Sequence, residues 1–209
     1  MIFRLDERLL FPDPALAEPD GLLAVGGDLS VERLLLAYRK GIFPWYSDET
    51  PILWYSPHER FVLFPQEIKI SKTMRKIIQS GKFGITVDQC FKEVIEACSQ
   101  APRPGQDGTW ITDEMKAAYV QLHQKGHAHS VEVRQNGELA GGLYGVQVGK
   151  VFCGESMFSR IGNASKMALI HLSGMGYQLI DCQVYTAHLA SMGARMVGRD
   201  EYMRILAAE

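Results

Sequence analysis

A chain of 209 residues that is 46% hydrophobic and 22% charged can bury a sizeable core, as one large domain or as a small one followed by a medium one. No run of about 18 apolar residues occurs and charges interrupt the opening MIFRLDERLL, so no membrane span or secretory signal is expected and the expected compartment is the cytoplasm. A formal net charge of −2 leaves only a local basic patch as a route to nucleic acid, and Cys90, Cys98, Cys153 and Cys182 stand too far apart for a zinc site or a disulfide framework.

In chain order, residues 1–60 read as a small, irregular, breaker-rich unit, with Pro12, Pro14, Pro19, Gly26, Gly27, Pro44, Pro51 and Pro57 as punctuation. One helix is legible there, over 31–40: Ser30 offers an N-cap, Leu34, Leu35 and Tyr38 fall at helical spacing, and Gly41 supplies the stop. Aromatic residues crowd the segment that follows, with Phe43, Trp45, Tyr46, Trp54 and Tyr55. The remainder, 61–209, alternates helix and strand. Short helices are expected from Ser71 and from Asp88, the second with Phe91, Val94, Ile95 and Cys98 as its apolar face. Thr112 caps a further helix that Gly126 closes.

Three strand-like runs follow, HSVEV, ELAGGLYGVQV and KVFCGESMF, joined at Asn136-Gly137 and Gly149-Lys150. Such turns predict an antiparallel meander. A helix from Asn163 or Ser165 to Gly174 or Gly176, a strand QLIDCQV, a short helix or turn in HLASMGA and a terminal helix EYMRILAAE complete the chain. The order implies an α+β fold with a central mixed sheet.

Polar residues inside apolar strands are the first candidates for chemistry. Alternation in LIDCQV puts Asp181 and Gln183 on one side, and Glu155 interrupts VFCGESM on the side of Val151, Cys153 and Met157. A hydrogen-bonded pair at a sheet end accounts for Asp181 and Gln183 as well as an active site does. Gly141, Gly142, Gly145 and Gly154 leave the meander bare, for close packing or for a ligand. Lys72, Arg75 and Lys76 share one helical face, either as solvated surface or as a phosphate contact. Trp45, Trp54 and Trp110 are candidate stacking platforms, or core. Neither a Walker-type loop nor a dinucleotide fingerprint is present, so any bond made here uses a substrate activated elsewhere, with no cofactor and no metal.

The blocks EPDGLLAVGGDLS, YRKGIFPWY, ILWYSP, GTWIT, LHQKGHAHSVEV, GGLYGV, VFCGESMFSRIGNASKMAL, LIDCQV and HLASMGAR, in this order across nearly the whole chain, resemble the leucyl/phenylalanyl-tRNA–protein transferase family. That resemblance implies a small N-terminal domain followed by a GCN5-related acetyltransferase-like (GNAT) domain. It implies transfer of Leu or Phe, less readily Met, from aminoacyl-tRNA to acceptor proteins beginning with Arg or Lys, which marks them for degradation by the N-end rule. By motif it assigns catalysis to Asp181, Gln183 and Glu155, and the surroundings of the terminal adenosine to Trp45 and Trp110. Leu143, Phe152, Gly154, Met157, Leu169 and Ile180 would form the substrate pocket, and Lys72, Arg75 and Lys76 would meet the tRNA. A monomer acting away from membranes is expected. Three other readings compete. An acyl-CoA transferase would need a pyrophosphate loop that the stretch R-I-G-N-A falls one residue short of. A non-catalytic adaptor and a thiol enzyme using Cys153 are the others.

Overall fold

The computed structural model describes residues 2–102 and 109–208. Gly108, the first residue of GTWIT, lies outside them.

The N-terminal unit is more regular than its breakers suggest. It contains a four-stranded sheet in the order β1-β2-β4-β3, built from β1 (Phe3–Leu5), β2 (Leu22–Gly26), β3 (Phe43–Pro44) and β4 (Leu53–Tyr55). Strands of two to five residues carry too little alternation to be read from sequence, and here they are held by pairing with distant partners. Helix α1 (Val31–Arg39) begins as expected at Ser30, whose side chain accepts the Arg33 N–H, and Gly41 follows it at φ 68°. Trp54 is fully buried, donates its indole N–H to the Gly26 carbonyl and packs edge-on against Phe11. It is therefore a core residue and no stacking platform.

Beyond it lies a seven-stranded sheet in the order β11-β5-β10-β9-β8-β7-β6. Its strands are β5 (Glu59–Leu63), β6 (Gly84–Val87), β7 (Ala128–Gln135), β8 (Glu138–Val148), β9 (Val151–Ser159), β10 (Leu179–Gln183) and β11 (Arg195–Gly198). The meander β7-β8-β9 is antiparallel, and β10 runs parallel to β9 and antiparallel to β5, so the sheet is mixed and the fold is α+β. Strands β5, β6 and β11, silent in the sequence, extend this sheet at both ends.

Among the described residues, six α-helices accompany these strands: α2 (Lys72–Gln79), α3 (Phe91–Ser99), α4 (Asp113–Gln124), α5 (Ala164–Ser173), α6 (Ala187–Ser191) and α7 (Arg199–Leu206). The buried faces of α1, α3, α4 and α7 join one apolar cluster, with Tyr144 and Val151 of the sheet. Those of α2, α5 and α6 join a second, with Val131, Leu143 and Ile180. The sheet thus separates two layers, each closed by the apolar stripe of its helices.

Helix α3 starts at Phe91 and not at Asp88. Asp88 takes φ 58°, accepts the Ser130 N–H at 2.8 Å and pairs with His129 Nδ1 at 2.7 Å, so it ties β7 to the helix entry. Helix α7 likewise begins at Arg199, two residues ahead of EYMRILAAE.

Three of the bare glycines are explained by packing. A Cβ on Gly141 would lie 2.6 Å from the Ala164 side chain, one on Gly142 2.8 Å from the Val131 carbonyl oxygen, and one on Gly145 2.2 Å from the Cys153 carbonyl oxygen. Only backbone without a Cβ fits there.

Candidate active site

Strands β9 and β10 pair in parallel from Leu179–Val151 to Asp181–Cys153, and then no further. Two irregularities part them. On β9, Tyr144 pairs with Ser156 and Gly145 with Gly154, so Glu155 is the extra residue of a bulge. On β10, the register with β5 shifts between Asp181 and Gln183, and Gln183 adopts φ 62° with the Val184 N–H donating back to the Cys182 carbonyl at 2.7 Å. Such a turn is strained for a side-chain-bearing residue and needs an outside hold. Asp181 supplies it, accepting the Gln183 backbone N–H on Oδ1 at 2.8 Å.

The bulge corrects one expectation. Glu155 faces the layer of α1 and α4, as Val151 and Cys153 do, but Met157 falls on the opposite face, beside Leu143. One inserted residue reverses the alternation beyond it. Asp181 and Gln183 do point to the same layer, the first toward α7 and the second toward Glu155.

Where the strands separate, a cavity of about 580 Å³ opens. Its polar wall holds Glu155, Asp181 and Gln183. Its apolar wall holds Leu143, Phe152, Met157, Leu169 and Ile180, with Gly154 between the two walls and Trp45 and Trp110 also lining it. All eleven candidates for catalysis and substrate contact in the sequence therefore border one space. The basic residues do not: α2 packs through Met74 into the second cluster, while Lys72, Arg75 and Lys76 are exposed and form no ion pair among the described residues.

Glu155 is the hub of the polar wall. Its Oε1 accepts from the Tyr38 hydroxyl at 2.7 Å and from the Gln183 side-chain NH₂ at 2.7 Å, and its Oε2 accepts from the Tyr119 hydroxyl at 3.0 Å. The two tyrosine hydroxyls also lie within bonding reach of each other; each has one proton to give, so while Glu155 is ionised one of the three contacts among Tyr38, Tyr119 and Glu155 goes without a proton. Burial pushes the Glu155 carboxyl up to about 7, against the pull of these three donors. Since the NH₂ of Gln183 is held by Glu155, its carbonyl oxygen is the end left to receive a donor within the cavity. Asp181 acts on the backbone of Gln183, and the side chain is oriented by Glu155.

Asp181, fully buried in that wall, is held from behind: it forms an ion pair with Arg60 Nε at 3.1 Å, and its Oδ2 also accepts from the Tyr202 hydroxyl at 2.9 Å. Cys153 is buried, its thiol is pushed well up by burial, and it is not among the lining residues, which removes the thiol-enzyme reading. His188 adds a buried Nε2 with no hydrogen-bond partner among the described residues, on a ring whose pKa burial lowers. Phe43, Tyr144, Tyr185 and Leu189 also line the cavity.

Tyr38, Tyr119, Arg60 and Tyr202 escaped the sequence reading. Tyr38 is 117 residues from Glu155 and Arg60 is 121 from Asp181, and no local pattern carries such a pairing. Asp181 sitting between apolar neighbours was the one available hint that a buried cation must exist somewhere.

The arrangement can orient an amide acceptor over a pocket for an apolar side chain, next to indole surfaces. Among the described residues no group of three or more His, Cys, Asp or Glu side chains converges on a common point, and no helix is long and apolar enough to cross a membrane. Residues 62–207 match a family model described as leucyl/phenylalanyl-tRNA protein transferase, and residues 27–58 match that of its N-terminal domain. A leucyl/phenylalanyl-tRNA–protein transferase of Syntrophobacter fumaroxidans is 57% identical over 99% of this chain and 90% of its own length. One from Flavobacterium johnsoniae is 52% identical over 98% of this chain and 99% of its own length. Among solved structures, a GCN5-related N-acetyltransferase from Kribbella flavida aligns with a TM-score of 0.42 at 10% identity, over 78% of this chain and 62% of that one.

Proposed function

Because the chain belongs to the leucyl/phenylalanyl-tRNA–protein transferase family, we propose that it moves Leu or Phe, and less readily Met, from aminoacyl-tRNA to acceptor proteins beginning with Arg or Lys. The product N-terminus would mark those proteins for degradation by the N-end rule. The enzyme works as a monomer in the cytoplasm, with a small N-terminal domain over 1–60 and a catalytic domain over 61–209. In support of that division, the small sheet ends at Tyr55 and the large one begins at Glu59. The observation that carries the reading is the meeting of the Glu155–Gln183 pair with an apolar cavity in one opening.

The aminoacyl ester arrives activated, so attack by the acceptor α-amine needs position more than a strong base. With a pKa of about 8, the amine is partly neutral at cellular pH. Gln183 presents its carbonyl to the attacking N–H, and Glu155 keeps the amide from turning over. The ester C–O bond breaks as the new C–N bond forms, the 3′ oxygen of the ribose leaves, and the proton lost by the amine passes to it through the adjacent ribose hydroxyl. Leu143, Phe152, Met157, Leu169 and Ile180 receive the transferred side chain, and Trp45 and Trp110 flank the terminal adenosine. Lys72, Arg75 and Lys76 contact acceptor-stem phosphates. Asp181 is a positioning residue for Gln183 in this scheme.

Transfer of labelled Leu from charged tRNA to a peptide starting with Arg, beside one starting with Ala, tests the reading. Transfer to the first alone is expected, and equal labelling of both would refute the acceptor assignment.

A further inference from the structure

Arg60 on β5 is a cation almost without contact with water, 3% exposed. Two of its guanidinium nitrogens and two aromatic rings are engaged. Nε donates to Asp181 Oδ2 at 3.1 Å, Nη2 donates to the Gly41 carbonyl at 2.9 Å and reaches the Tyr202 hydroxyl at 3.5 Å. The plane lies between two rings, 4.7 Å from the centroid of Phe43 and 4.6 Å from that of Tyr202. Three segments remote in sequence thus fix one group: Gly41–Phe43 after α1, Asp181 on β10, and Tyr202 on α7.

Stability is a poor reason for this arrangement. A buried ion pair pays desolvation on both partners, and apolar residues of similar volume often serve folding as well or better. What the pair does uniquely is aim the other carboxylate oxygen. With Oδ2 held by Arg60 and Tyr202, Oδ1 faces the Gln183 backbone N–H at 2.8 Å, the contact that holds a residue at φ 62°.

We infer that Arg60, together with Tyr202, is a positioning residue for the transfer step, setting the Gln183 turn through Asp181; this rests on the role given to Gln183 above. Arginine is required for geometric reasons. A lysine ammonium can pair with Asp181, but it has no planar face to stack between Phe43 and Tyr202 and no second arm fixed toward Gly41. Arg60 is not among the residues that line the cavity, so its effect belongs in the rate of the bound complex and not in substrate affinity.

The test is single-turnover transfer from leucyl-tRNA to an Arg peptide by full-length Arg60→Lys and Tyr202→Phe. Saturated rate and charged-tRNA affinity are measured separately, and rates are normalised to the folded fraction. Arg60→Lys should lower the saturated rate by about 10- to 100-fold with affinity within about threefold of wild type, the scale expected for a displaced catalytic group. Tyr202→Phe keeps the stacked ring and removes only the hydroxyl from Asp181, and should be slowed by about three- to tenfold at unchanged affinity. It carries the test alone if Arg60→Lys fails to fold. Wild-type saturated rates in the folded variants, or a loss that appears only as weaker tRNA binding, would overturn the inference. Gln183→Ala, run beside them, separates the two layers of argument. Full activity there removes the role of Gln183 itself, whereas an inactive Gln183→Ala beside fully active Arg60→Lys and Tyr202→Phe removes only the role of Arg60 and Tyr202.

Discussion

Replacing Glu155 with Gln isolates the one ionisation that the polar wall contains near neutral pH. Burial raises the Glu155 carboxyl to about 7, so roughly a tenth is ionised at pH 6 and roughly nine tenths at pH 8. Only the ionised form is an acceptor on both oxygens, and three donors point at it. In Glu155→Gln the new carbonyl can still receive Tyr38 and Gln183, while the new NH₂ faces Tyr119, whose hydroxyl can turn to accept it. The network survives, but the bond to Gln183 changes from charge-assisted to neutral. That difference is about 1 kcal/mol, or about fivefold in rate if it is expressed wholly in the transition state.

The larger change is in pH dependence. At subsaturating acceptor peptide, the wild-type rate of Leu transfer depends on two deprotonations, that of Glu155 near 7 and that of the acceptor amine near about 8. Protonated Glu155 presents the same neutral network as Glu155→Gln, so the ratio of wild-type to variant rate should fall from about fivefold at pH 8 to near one at pH 6, on top of the loss that both share through the amine. The stability sign is equally fixed. Between the ordinary carboxyl value of 4.5 and about 7 the folded state binds the proton more tightly than the unfolded chain, so the wild type loses stability as pH rises through that window, and Glu155→Gln does not. A rate ratio between wild type and Glu155→Gln that stays constant from pH 6 to pH 8 would refute the assignment of Glu155.

Asp181→Ala should lose most transfer activity while charged tRNA still binds, and its thermal midpoint should fall because Arg60 is left buried and unpaired, a loss on the order of 3 to 5 kcal/mol; wild-type turnover would contradict this. Replacing Lys72, Arg75 and Lys76 together with Ala should weaken tRNA binding and reduce the slope of log affinity against log salt by about two to three, and an unchanged slope in a filter-binding titration would remove α2 from the interface. Leu should be transferred in preference to Ile by about 1 to 3 kcal/mol in competition assays, since a β-branch must fit where the side chain enters the apolar wall; equal transfer would show that the pocket does not read branching.

Four of the candidates in the site were legible because each broke a local rule. A carboxylate at Glu155, a polar pair at Asp181 and Gln183 and a bare Gly154 all interrupt apolar strands, and every one of them lines the cavity. The glycines at 141, 142 and 145 broke the same rule for a different reason, close backbone packing, and nothing local distinguishes the two causes. Tyr38 shows the converse: at helical spacing it reads as an ordinary core residue, yet its hydroxyl is a main partner of Glu155.

The sequence by itself determined the helices with capping signals and the meander with its two tight turns, because caps, turns and periodicity are written within a few residues of one another. It also determined the family blocks and, through them, the candidates for catalysis. Only the tertiary structure decided the short strands of the N-terminal sheet, the placement of β5, β6 and β11, and the face on which Met157 lies, since these depend on pairing partners far along the chain and on a single-residue bulge. It also decided what each carboxylate holds. Asp181 faces Arg60 and the Gln183 backbone, and Glu155 faces two tyrosines and the Gln183 amide, because a buried charge is settled by whichever donors the packed fold brings to it.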